Sequence, residues 1–221
     1  MQVNFRGSTG YGRKHFKAGN KEWGRNMQND VTDAVNWAID QGIADKDRVC
    51  IYGASYGGYA VMAGITFTPD MYKCAVNYVG VTDLELLWET MPPQWEIFEE
   101  QQKVDIGDPE KDKELLKARS PLNFVDRIQT PLYIVHGVRD WRVDIEHARK
   151  LRRELEKVGK KEGEDYYWMV KADEGHGFVG EAIVYAFSPL FNIHVYDVDP
   201  LKSVSTLEEV HNCDYVFICV A

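Results

Sequence analysis

Ser55, Asp140 and His176 are the residues of this chain whose types and order could carry out nucleophilic catalysis. A serine hydroxyl is a poor nucleophile until a histidine accepts its proton and a carboxylate orients that histidine. Ser55 occupies the centre of Gly53-Ala54-Ser55-Tyr56-Gly57, and the acid and the histidine follow it along the chain in that order. Together they predict a catalytic triad that performs acyl transfer through a covalent ester of Ser55. The backbone N–H of Tyr56 is the expected donor to the oxyanion.

Each of these three residues follows an apolar run that is typical of a buried β-strand. The runs are residues 48–52, 131–135 and 166–170. A helix-compatible run, residues 59–67, comes after Ser55, so this segment is typical of the strand, sharp turn and helix of a nucleophile elbow. We expect glycines on both sides of the serine because a Cβ at either flanking position would collide with the strand or the helix.

The remaining periodic segments alternate between helix and strand. Apolar residues at helical spacing predict helices over residues 27–39 and 145–158. The charged segment of residues 110–119, closed by Ser120-Pro121, predicts another helix, and residues 73–79 predict a further buried strand. Residues 1–5 are expected to be the last part of another strand. Helices that alternate with buried strands predict an α/β fold with a mainly parallel sheet and flanking helices.

Aromatic side chains near the predicted sheet edge are candidates for substrate binding. Residues 84–102 contain Trp88 and Trp95 on either side of Pro92-Pro93, and this segment follows the carboxyl end of a predicted strand. It could therefore form a wall of the substrate pocket. The alternative is a pair of surface helices held together by aromatic contacts. Tyr59, in the helix after Ser55, is a third candidate.

Composition excludes some classes of partner and indicates others. The formal net charge of −9 argues against nucleic acid or an anionic membrane as a partner. We found neither an apolar run as long as a membrane span nor a signal-peptide pattern, and the histidines lack metal-ligand spacing, so no metal is expected. The cysteines show no C-x-x-C spacing, and Cys50 and Cys74 are expected to be buried, reduced thiols in core strands. The expected location is cytoplasmic.

Four motifs, in order, resemble the prolyl oligopeptidase family of serine peptidases, and in particular its acylaminoacyl-peptidase and dipeptidyl-peptidase-like branches. They are Asn4-Phe5-Arg6-Gly7-Ser8-Thr9-Gly10-Tyr11-Gly12, Gly53-Ala54-Ser55-Tyr56-Gly57-Gly58-Tyr59, His136-Gly137-Val138-Arg139-Asp140 and Asp173-Glu174-Gly175-His176-Gly177-Phe178. The resemblance implies an α/β-hydrolase-type peptidase domain over residues 1–178 that lacks its first strands. It also implies a short peptide as the substrate.

The resemblance leaves alternatives open. An esterase of the same fold and an inactive fragment are both compatible with these motifs. In the resembled family a second oxyanion donor comes from a segment upstream of the part that matches residues 3–5. We therefore expect low turnover, unless Tyr11 or the loop of residues 7–12 substitutes for that donor.

The tail departs from this pattern. Gly175, Gly177 and Gly180 form a Gly-x-Gly-x-x-Gly fingerprint, and Asp197 follows at a spacing near that of a ribose-binding acid. Residues 175–220 resemble the opening of the UDP-glucose and GDP-mannose dehydrogenases, which implies that residues 179–221 form a partial Rossmann-like extension.

An NAD-binding module is thus a third interpretation, but the turn that carries the glycines must also present His176 to Ser55. We therefore expect no cofactor, with NAD bound weakly or not at all. A strand added by the tail would leave one face of the sheet poorly covered, so self-association is expected.

Overall fold

The computed structural model describes residues 1–177, and within them Val3–His176 form one compact unit. The predicted Rossmann-like extension over residues 179–221, with Gly180 and Asp197 of the dinucleotide fingerprint, lies outside the described residues. That extension and the self-association inferred from it therefore remain predictions.

Four parallel strands form the sheet of this unit. In chain order they are β1 (Cys50–Ala54), β2 (Cys74–Tyr78), β3 (Leu132–Gly137) and β4 (Tyr166–Lys171), and their order in the sheet is the same. The predicted mainly parallel sheet with flanking helices is confirmed. Because all four strands run in one direction, the loops that follow them emerge at the same edge of the sheet.

The prediction that residues 1–5 form the last part of a strand is wrong. The carbonyl oxygen of Phe5 accepts a hydrogen bond from the backbone N–H of Ser8 at 3.0 Å and also lies 3.0 Å from Nε2 of His15. A turn and a side chain therefore use this carbonyl, and residues 1–5 join no strand ladder in the described part of the chain.

Helices pack around the sheet. They are α1 (Arg13–Lys17), α2 (Asn26–Asp40), α3 (Tyr56–Phe67), α4 (Leu84–Glu89), α5 (Glu99–Asp105), α6 (Lys113–Arg119) and α7 (Glu146–Lys157), with 3₁₀ helices at Pro93–Phe98 and Pro121–Arg127. The aromatic segment of residues 84–102 thus forms α4, a 3₁₀ helix that begins at Pro93, and the start of α5. Within residues 1–177 no helix is long and apolar enough to cross a membrane.

Helix α3, which begins immediately after Ser55, is the most buried helix of the described residues. One side of it contributes Val61 and Ile65 to a core shared with β3 and α7. The other side contributes Tyr59 and Ala63 to a second core shared with α4 and α6. An apolar helix packed on both sides is fixed in position. The N-terminus of α3, and with it Ser55, is consequently held rigidly at the sheet edge.

Cys50 and Cys74 form a disulfide, which corrects the prediction of two reduced thiols. They are paired residues in the register of β1 and β2, with their Cα atoms 4.7 Å apart. That separation lies within the range that a disulfide can bridge. The expectation of a cytoplasmic location loses the support it drew from reduced thiols, because disulfides persist mainly in oxidising compartments.

Candidate active site

Ser55 occupies a strained turn between β1 and α3. Its backbone has φ 57° and ψ −117°, which is unusual for a residue with a Cβ. The N–H of Ser55 donates to the carbonyl of Tyr78 at the end of β2, at 3.1 Å. The core on both sides of α3 and this hydrogen bond to β2 hold the serine in that conformation, as a nucleophile elbow requires.

Close backbone contacts explain only part of the glycine pattern. A Cβ on Gly53 would lie 2.3 Å from the carbonyl oxygen of Gly57, so residue 53 must be glycine. A Cβ on Gly57 would meet nothing within 4 Å, which corrects the prediction that both flanking positions exclude a side chain for lack of space. The other close contact involves Gly58, where a Cβ would lie 2.5 Å from the Cα of Gly80.

Asp140 and His176 form a short, buried pair. Nδ1 of His176 lies 2.7 Å from Oδ2 of Asp140, with the side chain of Asp140 fully buried and that of His176 15% exposed. The other carboxylate oxygen accepts the backbone N–H groups of Arg142 and Val143, at 2.9 Å and 3.0 Å. A carboxylate only accepts hydrogen bonds, so Nδ1 carries the proton and Nε2 of His176 is left as an acceptor.

These donors keep Asp140 ionised although it is buried. Burial alone would raise the pKa of this carboxyl group. The hydrogen bonds from His176 and from the backbone of Val143 and Arg142 outweigh burial, and the pKa of Asp140 falls below its ordinary value. The aspartate is therefore a permanent negative charge behind the imidazole at neutral pH.

Backbone hydrogen bonds join the loop that carries Asp140 to the loop that carries His176. The N–H of Val138 donates to the carbonyl of Lys171, and the N–H of Arg139 donates to the carbonyl of Glu174, each at 2.9 Å. A Cβ on Gly137 would lie 2.4 Å from the carbonyl oxygen of Glu174, so only glycine permits this approach. The two loops thus form one unit, which accounts for the short contact between the acid and the histidine.

His136 supports the acid loop from inside the core. Its side chain is 1% exposed, and its Nε2 lies 2.8 Å from the carbonyl oxygen of Val143 and 3.6 Å from Oδ2 of Asp140. Burial lowers the pKa of this histidine, so it is neutral and donates its Nε2 proton to Val143. This contact fixes the turn that carries Asp140 to the buried side chain of His136.

Tyr78 connects Ser55 to the loop that carries His176, and sequence reasoning missed it. Its carbonyl accepts the N–H of Ser55, while its hydroxyl donates to the carbonyl of His176 at 3.4 Å. Tyr78 is completely buried at the last position of β2, between the strands that precede Ser55 and Asp140. Strand periodicity identifies such a residue as core, and no local signal distinguishes this contact from ordinary packing.

A cavity of about 320 Å³ adjoins Ser55. Its walls are mainly apolar and aromatic, and its described lining includes Phe16, Trp23, Met27, Tyr56, Val81, Leu87, Trp95, Ile106 and Val143. Of the three aromatic candidates, Trp95 lines this cavity.

The structure places Tyr59 elsewhere. It is fully buried in the core, where its hydroxyl donates to the carbonyl of Arg119 at 2.8 Å. Trp88 packs against the same core as Tyr59 and is also absent from the described lining. Both side chains occupy that core because the second face of α3 packs against α4 and α6.

The other candidate binding groups are not assembled in the described residues. Residues 1–177 contain no group of three histidine, cysteine or acidic side chains that could hold a metal ion. Gly175 and Gly177 flank His176 on the histidine loop. The other members of the dinucleotide fingerprint, Gly180 and Asp197, lie beyond the described residues. Tyr11, the suggested substitute for a second oxyanion donor, lines a separate polar cleft with Arg6 and Asp30.

The domain is of the α/β-hydrolase type. Its parallel sheet carries Ser55 in a sharp turn after β1, Asp140 after β3 and His176 after β4. Comparison with known families gives the more particular result. The prolyl oligopeptidase family matches residues 1–192, and this chain belongs to that family.

Individual relatives agree with this assignment. The chain is 43% identical over 180 residues to the dipeptidyl aminopeptidase BIII of Pseudoxanthomonas mexicana, which covers 80% of the chain and 26% of the relative. It is 40% identical over 181 residues to dipeptidyl peptidase family member 6 of Caenorhabditis elegans, covering 80% of the chain and 24% of the relative. The chain therefore spans about a quarter of the length of these curated relatives.

A solved structure extends the likeness to three dimensions. A puromycin-hydrolyzing peptidase of Mycobacterium tuberculosis superposes with a TM-score of 0.75 at 30% sequence identity. The match covers 83% of this chain and 27% of the peptidase.

Proposed function

We propose that this chain is the catalytic part of a serine peptidase that cleaves short peptides through an acyl-enzyme on Ser55. The observation that carries the proposal is the buried 2.7 Å contact between His176 and Asp140. This contact fixes the imidazole tautomer in which Nε2 can accept the proton of a serine hydroxyl. Membership of the prolyl oligopeptidase family, together with the peptidase names of the two relatives described above, supports the same reaction.

The first half of the reaction would acylate the serine. Ser55 Oγ attacks the substrate carbonyl carbon as His176 Nε2 takes its proton, and the ionised Asp140 stabilises the imidazolium that forms. The backbone N–H of Tyr56 is available to the oxyanion because it lies in the first turn of α3, where N–H groups have no partner within the helix. His176 then returns the proton to the leaving amine.

The second half would release the acyl group. Water attacks the ester while His176 accepts its proton, and the proton passes back to Ser55 as the ester bond breaks. The cavity beside Ser55 would hold the side chain next to the cleaved bond, since it is the concave and largely apolar surface that adjoins the nucleophile.

Covalent labelling with a fluorophosphonate probe tests the proposal. We expect the probe to modify Ser55, identified by mass spectrometry of the labelled peptide, and we expect His176→Ala to abolish the labelling. His15→Ala is the matched control because His15 contacts the carbonyl of Phe5, away from Asp140. Equal labelling of the wild type and His176→Ala would reject the catalytic assignment.

Substrate class is tested on the same protein. A peptidase should release amine from a short peptide amide as well as alcohol from an activated ester. Turnover of the ester alone would favour the esterase alternative, and labelling without turnover of either substrate would favour an inactive fragment.

A further inference from the structure

Asp105 is the only charged residue among the described residues that line the cavity beside Ser55. It is the last residue of α5, and its side chain is partly exposed. Two neutral amides, Asn20 and Gln102, are also part of the lining, and no lysine or arginine is. Asp105 therefore supplies the one formal charge of the described lining of the cavity that adjoins Ser55.

The backbone and side chain of Asp105 are held in place. Its carbonyl accepts the N–H of Lys21 at 2.8 Å, which fixes the end of α5 to the loop before α2. One carboxylate oxygen accepts a hydrogen bond from Nε2 of Gln101, also at 2.8 Å. A carboxylate has room for further donors, so a cation entering the cavity can still bind the other oxygen.

Nearby lysines are engaged elsewhere. Lys21 forms an ion pair with Asp112 at 2.6 Å, and Lys103 bridges Glu99 and Glu100 at 2.8 Å. Among residues 1–177 no lysine or arginine forms an ion pair with Asp105, whereas its acidic neighbours on α5, Glu99 and Glu100, both pair with Lys103. Its negative charge is therefore left for a ligand.

The walls of the cavity suit a long basic side chain. The aromatic rings of Phe16, Trp23, Tyr56 and Trp95 can cover the apolar stem of arginine or lysine, and a cation also interacts favourably with such rings. The volume of about 320 Å³ lies at the lower end of the range for small-ligand pockets, which fits one side chain. The net charge of −9 would also attract cationic peptides.

We propose that the cavity binds an arginine or lysine side chain, that Asp105 binds its cation, and that Ser55 is acylated by the residue carrying that side chain. This specificity rests on the proposed peptidase function. An apolar side chain would instead cover the carboxylate and give it no partner, which disfavours binding. An acidic side chain would be repelled.

Product dipeptides isolate the contribution of the charge. Alanyl-arginine and alanyl-citrulline have nearly the same shape and the same terminal ammonium, but only arginine carries a side-chain cation. We expect calorimetry on the full chain to show that alanyl-arginine binds about 10- to 100-fold more tightly, because charge-assisted hydrogen bonds contribute on that scale.

Two variants locate the effect. Asp105→Asn should reduce the preference for arginine to within about 3-fold and leave the affinity for alanyl-citrulline nearly unchanged. Glu100→Gln is the matched control, since it removes one negative charge from the same helix at an exposed position outside the described cavity lining. We expect it to retain the preference.

Any of three results would overturn the inference. They are equal affinity of the wild type for the two dipeptides, a preference for arginine that survives Asp105→Asn, and no binding of either dipeptide. The wild-type comparison stands even if Asp105→Asn fails to fold. Fluorophosphonate labelling of the same preparations separates the two proposals. Labelled Ser55 without an arginine preference rejects only the specificity, whereas an Asp105-dependent preference without labelling rejects only the peptidase function.

Discussion

Asp140→Asn is expected to slow acylation of Ser55 while leaving the fold of the acid loop intact. One carboxylate oxygen of Asp140 accepts the N–H groups of Arg142 and Val143, and the amide oxygen of asparagine can accept both in the same way. The amide nitrogen then faces Nδ1 of His176. Because that nitrogen is a donor, Nδ1 must become the acceptor, and the imidazole proton moves to Nε2.

The size of the effect follows from this change of tautomer. An Nε2 that carries a proton cannot accept one from Ser55, so reaction requires the less stable tautomer, in which two donors face each other. The variant loses a charge-assisted hydrogen bond, which costs about 1.5–3 kcal/mol. It also gains an unsatisfied buried donor, which costs about 1–3 kcal/mol. A sum near 4–5 kcal/mol corresponds to a decrease of about 10³- to 10⁴-fold in rate, the scale known for such triads.

The assay is the second-order rate constant for fluorophosphonate labelling of Ser55, measured at neutral pH. Asp173→Asn is the matched control because Asp173 lies on the histidine loop, where its exposed ion pair with Arg139 contributes little. Thermal unfolding should show both variants folded. A labelling rate for Asp140→Asn within 10-fold of the wild type would refute the tautomer argument.

Two further predictions concern stability. His147 is buried and accepts the N–H of Thr82 through Nδ1 at 3.2 Å, and burial lowers its pKa to about 3. Below the ordinary pKa of 6.5 only the unfolded state binds the proton, so stability falls as the pH falls from about 6.5 towards 3. His147→Asn keeps a hydrogen-bond acceptor at this position. Between pH 8 and pH 5 its free energy of unfolding, measured with urea, should fall by about 2 kcal/mol less than that of the wild type. Identical losses in both proteins would contradict this. Reduction of the Cys50–Cys74 disulfide, whose residues are 24 apart, should lower the free energy of unfolding by about 3.5 kcal/mol. A reductant should not affect a variant with serine at both positions, and an unchanged wild-type midpoint in reductant would count against the prediction.

Local patterns were sufficient for the elements of the fold. The apolar runs before Ser55, Asp140 and His176 became strands β1, β3 and β4, and the periodic segment of residues 145–158 became α7. Strand and helix periodicity are properties of neighbouring residues, so a single sequence contains them. The order of helices and strands also predicted a parallel sheet, because parallel strands need crossover connections.

The sequence by itself therefore determined which residues could form the site and at which edge of the sheet they would lie. Only the tertiary structure decided their contacts: the 2.7 Å pair of His176 and Asp140, the link through Tyr78, and the presence of Asp105 in the lining of the cavity beside Ser55. The Cys50–Cys74 disulfide depended likewise on the register of two strands. Each of these contacts joins residues that are distant in the chain. Periodicity assigns a residue to a face of its own helix or strand, whereas the neighbour on that face depends on how the whole sheet and its helices pack.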